Sequence, residues 1–174
     1  MKRGFTLIEL LIYIVLAVFI LNVGVFLVWQ ILQSKAKLIS YHQVINESRF
    51  ILEKISFEAR RAKLVEIPKN QGEESQDLLL RMPDNSSVYF YLEKGNLILE
   101  RRDINGKIVS SFPISSEKIR INELSFKNLS PKPSRPATFQ VKMKINYYNP
   151  SQRGEYRAEI SVQQSINLRD NSTL

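Results

Sequence analysis

Glu9 is the only charged side chain between Arg3 and Lys35. A carboxylate set among apolar residues is unfavourable in low dielectric unless an opposite charge or hydrogen-bond donors meet it. Glu9 is therefore the first candidate for chemistry, and that chemistry is charge pairing. Elsewhere the inventory is thin. There is no cysteine, which excludes disulfides, thiol nucleophiles and Cys-based zinc sites. The single histidine, His42, excludes a His-rich metal site and reads as a surface residue beside an apolar helical stripe. Glu73-Glu74 sits in a polar loop without an acid/base partner. Asp103-Ile104-Asn105-Gly106 opens like a calcium loop but lacks the later ligands, and reads as a β-turn. No glycine-rich phosphate cradle occurs. The Asn-x-Ser/Thr triplets at Asn46, Asn85, Asn128 and Asn171 read as coincidental. Lys132 and Arg135 stand in a basic, proline-rich loop, Ser130–Pro136, that could meet DNA or another anionic ligand. No catalytic residue, metal ligand or cofactor is assigned.

The elements that must position Glu9 follow from the charge layout. Of 174 residues, 25 are Lys or Arg and 17 are Asp or Glu, a formal charge of +8. Apart from Lys2, Arg3 and Glu9, every charge lies from Lys35 onward. An ordinary soluble domain is excluded by this asymmetry, and wholesale disorder by the 44% apolar content. The basic excess invites a nucleic-acid reading, but the lysines and arginines are scattered among acidic residues. Leu10 to Ser34 is a run of 25 residues without charge, about 37 Å as a helix against a hydrocarbon core of about 30 Å. It is expected to be a transmembrane helix, with Trp29 as an interfacial anchor. The run is too long, and lacks the small-x-small site, for an ordinary cleaved signal peptide. A plain uncleaved anchor explains the length but leaves Glu9 to snorkel toward the headgroups beside Lys2 and Arg3.

The stretch Lys2-Arg3-Gly4-Phe5-Thr6-Leu7-Ile8-Glu9-Leu10-Leu11-Ile12 resembles the leader and mature start of the type IV pilin-like family. The resemblance implies cleavage between Gly4 and Phe5 by a membrane-embedded prepilin peptidase, which then N-methylates Phe5. It also places Glu9 on the family's acidic position. Cleavage would create an ammonium on Phe5, with an ordinary pKa of about 8. That ammonium, from a neighbouring subunit or from the same chain at i, i+4, could neutralise Glu9 and make it a register mark for assembly. The positive-inside balance is nearly even, with Lys35 and Lys37 beyond the span. The resemblance therefore carries the topology: a single pass through the inner membrane, N-terminus cytoplasmic, remainder extracytoplasmic and then in a pilus or pseudopilus.

Helical periodicity continues past the span. Leu38, Tyr41, Ile45, Ser48, Leu52, Ile55, Ala59 and Ala62 recur at steps of three and four, either as a coiled-coil seam or, since strands follow directly, as the face on which a sheet packs. Arg49/Glu53 and Lys54/Glu58 are i, i+4 pairs. Pro68 is expected to end the helix, with Asn22 and Gly24 as points of bending. From residue 78 the period becomes two. Strands are expected at 78–82, 87–92, 97–101, 107–109, 138–145 and 156–162, with one more short strand suggested by 119–121 and 124–126 together, and turns at Glu93-Lys94-Gly95-Asn96 and Asn105-Gly106. The expected fold class is α+β: a long N-terminal helix, transmembrane then amphipathic, packed on an antiparallel β-sheet. The resemblance makes this pilin-like. The expected organisation is a leader (1–4), a transmembrane and assembly helix (5–34), its amphipathic continuation (35–67), a β-rich head (68–168) and a frayed tail (169–174).

The order of hairpin, proline-rich loop, long hairpin and closing Ile166-Asn167-Leu168-Arg169 looks most like a J-type minor pseudopilin of type II secretion or a related minor pilin. The chain lacks a C-terminal cysteine pair and an Asp-rich calcium segment, which favours a minor over a major subunit. The function implied is a non-catalytic fibre subunit whose partners are a prepilin peptidase, other pilin or pseudopilin subunits and the inner membrane. The alternative is a competence-type minor pilin binding DNA through Lys132 and Arg135. An enzyme or sensor on a plain anchor is disfavoured by the absent catalytic groups.

Overall fold

A computed structural model of the chain describes residues 6–130 and 137–168. Helix α1 runs unbroken from Leu7 to Arg61, 55 residues, or about 80 Å. Its N-terminal half is long and apolar enough to cross a membrane. The helix passes through Asn22 and Gly24 without interruption. The Asn22 side chain donates to the Val18 carbonyl at 2.8 Å, one turn back.

Among the described residues nine strands follow: β1 (Leu64–Ile67), β2 (Glu74–Ser75), β3 (Leu78–Arg81), β4 (Ser87–Glu93), β5 (Asn96–Arg102), β6 (Ile108–Pro113), β7 (Ile119–Asn128), β8 (Thr138–Tyr147) and β9 (Glu159–Asn167). They form two antiparallel sheets rather than one. The first has the order β1-β3-β4-β5-β6 and the second β2-β7-β8-β9. Together with α1 they make an α+β layout.

Alternation explains the sheets. In β8, Phe139, Val141, Met143 and Ile145 are fully buried, while the intervening Gln140, Lys142 and Lys144 are not. The lower half of α1 lies against β8, β9 and the short 3-10 turn Gly154–Tyr156. Its Val44, Ile51, Ile55 and Ala59 meet a core that takes Leu80, Phe90 and Leu99 from the first sheet and Phe126, Phe139 and Met143 from the second. The sheets are also tied by backbone, since Ile121 N donates to the Gly95 carbonyl at 2.9 Å.

The structure corrects several boundaries. The helix ends at Arg61, not near Pro68, because Lys63 N donates to the Arg81 carbonyl at 2.8 Å and Leu64–Ile67 pair with β3 as β1. The amphipathic segment is thus 35–61, and the β-rich head starts at 64. The buried seam of α1 is Ser40, Val44, Ser48, Ile51, Ile55, Glu58 and Ala59, so Leu38 and Tyr41 are exposed rather than packed. Ile119–Ile121 and Leu124–Phe126 lie in one strand, β7, which is longer than the short strand expected and has a bulge between Ile121 and Glu123 in its pairing to β8. Tyr156 belongs to the 3-10 turn, and the last strand opens at Glu159.

Candidate assembly surface

The sequence around Glu9 folds into a capped helix start. Thr6 is the N-cap of α1 and Glu9 its third residue. Glu9 N donates to Thr6 Oγ1 at 3.3 Å, and Thr6 N donates back to Glu9 Oε2 at 3.1 Å. This reciprocal pair is a capping box, which satisfies backbone N–H groups that a helix start otherwise leaves open. The Thr6 hydroxyl also donates to Oε2, at 3.1 Å. Oε1 accepts no hydrogen bond among the described residues. An acid in the first turn is also favoured by the helix dipole. Both groups of Thr6 lie on the C-terminal side of the Gly4–Phe5 bond, so cutting that bond would leave the cap intact.

Beyond the cap, none of the described residues buries the upper half of the helix. Every residue from Thr6 to Lys35 is exposed; Ala36 is the first to be half-buried and Ser40 the first to be buried. Leu7, Phe19, Leu21 and Val25 are each at least two-thirds exposed. An apolar rod of this length is far larger than the patches that soluble monomers tolerate.

In the head, several acidic and polar side chains are held by partners within the chain. Glu58, 1% exposed, accepts from Arg101 at 2.7 Å and lies 3.4 Å from Lys54. Glu74 pairs with Lys127 at 2.8 Å, which holds its carboxyl below the usual range. Glu73 accepts from the Asn70 backbone N–H at 2.7 Å. Asp103 is a turn residue, accepting from Asn105 N and Lys107 N at 2.8 and 2.9 Å. Buried Asn128 donates to the Pro68 and Lys69 carbonyls and accepts from Ser130 N; its side chain clamps the 68–70 loop to the end of β7. Tyr89 donates to Asp77 at 2.7 Å beneath the Arg102 guanidinium. Burial and the Asp77 bond push its hydroxyl up to about 12. No group of three or more His, Asp or Glu that could hold a metal occurs among the described residues.

Of the residues singled out from sequence, the structure thus positions Glu9. Gly4, Phe5, Lys132 and Arg135 lie outside the described residues. The base of the 131–136 loop is pinned, with Leu129 N donating to the Thr138 carbonyl at 2.8 Å and Thr138 N to Ser130 Oγ at 2.9 Å. Thr6 was missed as a partner of Glu9, although a threonine three residues before a glutamate at the head of an apolar run is a capping-box signal. No protein-family model, curated protein or solved structure matches the chain.

Proposed function

We propose that this chain is a non-catalytic minor pilin or pseudopilin subunit, anchored in the membrane by α1, trimmed between Gly4 and Phe5 by a prepilin peptidase, and assembled with other subunits into a fibre of the type IV pilus or type II secretion kind. The observation that carries the reading is Glu9. It is the one acid in the exposed apolar half of α1, it is already ordered by Thr6, and among the described residues no donor reaches Oε1. The Phe5 ammonium created by cleavage is the donor of matching charge. In this role the helix exchanges lipid for the helices of neighbouring subunits, and Glu9 fixes which level of one helix meets which level of the next.

The head supports the same reading. It buries its core against the lower half of α1 and leaves the upper half bare, as a subunit joined to others through helices requires. The second sheet's basic residues are partly neutralised within the chain, Lys127 by Glu74 and Lys144 by Glu159 at 3.1 Å. That favours a protein-contacting head over a DNA-binding one.

Co-expression with a prepilin peptidase tests the proposal. The expected result is an N-terminus at Phe5, read by intact-mass and N-terminal peptide measurement, with loss of residues 1–4 plus one added methyl. An unchanged mass, initiator methionine included, overturns it.

A further inference from the structure

We infer that two copies of this chain pair in parallel through α1 within the membrane, their Asn22 carboxamides exchanging reciprocal hydrogen bonds at the centre of the contact. This rests on the membrane-spanning reading above and adds a specific self-association to it.

Between Ile14 and Val28, Asn22 is the only polar side chain. A carboxamide has two N–H donors and one carbonyl acceptor. One N–H is used, donating to the Val18 carbonyl at 2.8 Å. The second N–H and Oδ1 take no hydrogen bond from the described residues. In hydrocarbon, polar groups left this way are strongly unfavourable, and lipid tails supply no partner. The head supplies none either, because it first covers the helix at Ala36, about 21 Å further along the axis.

A second copy inserted with the same topology carries its own Asn22 at the same depth. What one copy lacks, the other then provides: the remaining N–H of each donates to Oδ1 of the other across a two-fold axis. The surrounding spacing fits this contact. Leu11, Val15, Val18, Asn22, Val25 and Trp29 follow alternating steps of four and three, a seam for a parallel helix pair. A lone asparagine within such a seam fixes register and favours two strands. Asn22 thus selects which of several apolar faces of α1 meets its twin.

The chain has no cysteine, so single-cysteine variants of the full-length protein report proximity cleanly in isolated membranes under mild oxidation. Val18→Cys and Val25→Cys, on the Asn22 face, are expected to give a disulfide-linked species of twice the chain mass. Ile20→Cys and Leu27→Cys, on the far side, are not. Adding Asn22→Val to Val25→Cys is expected to lower the dimerisation constant about five- to thirty-fold, whereas Asn22→Gln keeps the cross-link. Alkaline extraction run in parallel is expected to leave every variant in the membrane pellet. Equal cross-linking from both faces, no effect of Asn22→Val, or cross-linking only to a protein of different mass overturns the pairing while leaving the anchor intact. Release of the parent chain by alkali overturns the anchor and the pairing together.

Discussion

Arg101 Nη2 on β5 donates to Glu58 Oε1 on α1 at 2.7 Å, across 43 residues of chain. Glu58 is buried, and Arg101 is 41% exposed. This pair adds a polar tie between the first sheet and a helix whose main strand contacts are with β8 and β9 of the second. Its neighbour Lys54 reaches the same Glu58 oxygen at 3.4 Å along the helix. The Arg101 Nε is itself buried without a hydrogen bond.

Glu58→Ala is expected to destabilise the head by about 1–3 kcal/mol, less than a fully buried pair because Arg101 can turn its guanidinium to water. The check is the thermal midpoint of the detergent-solubilised protein, with a fall of roughly 4–8 °C per kcal/mol for a head of this size. A double-mutant cycle with Arg101→Ala should recover most of the loss as coupling energy. Additive effects would show that the pair contributes only packing.

Glu58 also marks where the sequence was hard to read. Its spacing from Lys54 was legible as a surface i, i+4 pair, but the partner that buries it comes from β5, and no local pattern announces a contact so distant in the chain. The seam of α1 was misread for a related reason. Apolar periodicity points to Leu38 and Tyr41, which are exposed, and passes over Ser40, although it includes Ser48; both serines are buried. Their hydroxyls donate to the Ala36 and Ile45 carbonyls of the helix itself, so small polar residues sit in the contact at little cost. By contrast, the hairpins at Lys94-Gly95 and Asn105-Gly106 were legible because positive φ demands particular residues. Lys94 (φ 49°), Gly95 (φ 79°) and Gly106 (φ 80°) all adopt it. The alternation of β8 was legible because one face is core and the other solvent. The helix end was not, since Leu64–Ile67 becomes a strand only by pairing with β3. Glu9 stood out by charge alone, whereas its bond to Thr6 needed the helix start to be placed.

Gly95 and Gly106 separate a backbone effect from a steric one. Both have φ near +80°, but a Cβ on Gly95 would sit 2.9 Å from Arg120 Cδ, while one on Gly106 would meet nothing within 4 Å. Arg120 is engaged there, stacking on Tyr148 and donating to the Ile119 carbonyl at 2.7 Å. Gly106→Ala is expected to cost about 1 kcal/mol from backbone strain alone. Gly95→Ala should cost that amount plus roughly another 1 kcal/mol for moving Arg120. Denaturant midpoints at unchanged slope would measure both; equal losses would mean that Arg120 yields without penalty.

Tyr89 gives a pH signature. Its hydroxyl ionises at about 12 because burial and the bond to Asp77 oppose the phenolate. In the unfolded chain a tyrosine ionises near 10. The folded state therefore binds more protons between these values, so this contribution to stability is whole below about pH 10 and declines as pH rises toward 12. Absorbance titration of phenolate should show one late-titrating tyrosine that disappears in Tyr89→Phe and moves down in Asp77→Asn. An unchanged titration curve for Tyr89→Phe would rule out the assignment.

Glu9 is asked to do two things, and one pair of substitutions tells them apart. As the third residue of the helix it completes the capping box with Thr6; as the lone acid in the apolar half of α1 it is proposed to meet the Phe5 ammonium of another subunit. Glutamine closes a capping box as glutamate does but carries no charge. Glu9→Ala removes both functions and is expected to lose about 1 kcal/mol at the helix start together with incorporation into fibres. Glu9→Gln is expected to keep the helix start, read as unchanged amide-exchange protection near Leu10, and still fail to incorporate, read by co-purification with the other subunits after peptidase treatment. Normal incorporation of Glu9→Gln would assign Glu9 to capping alone and remove its charge from the assembly step.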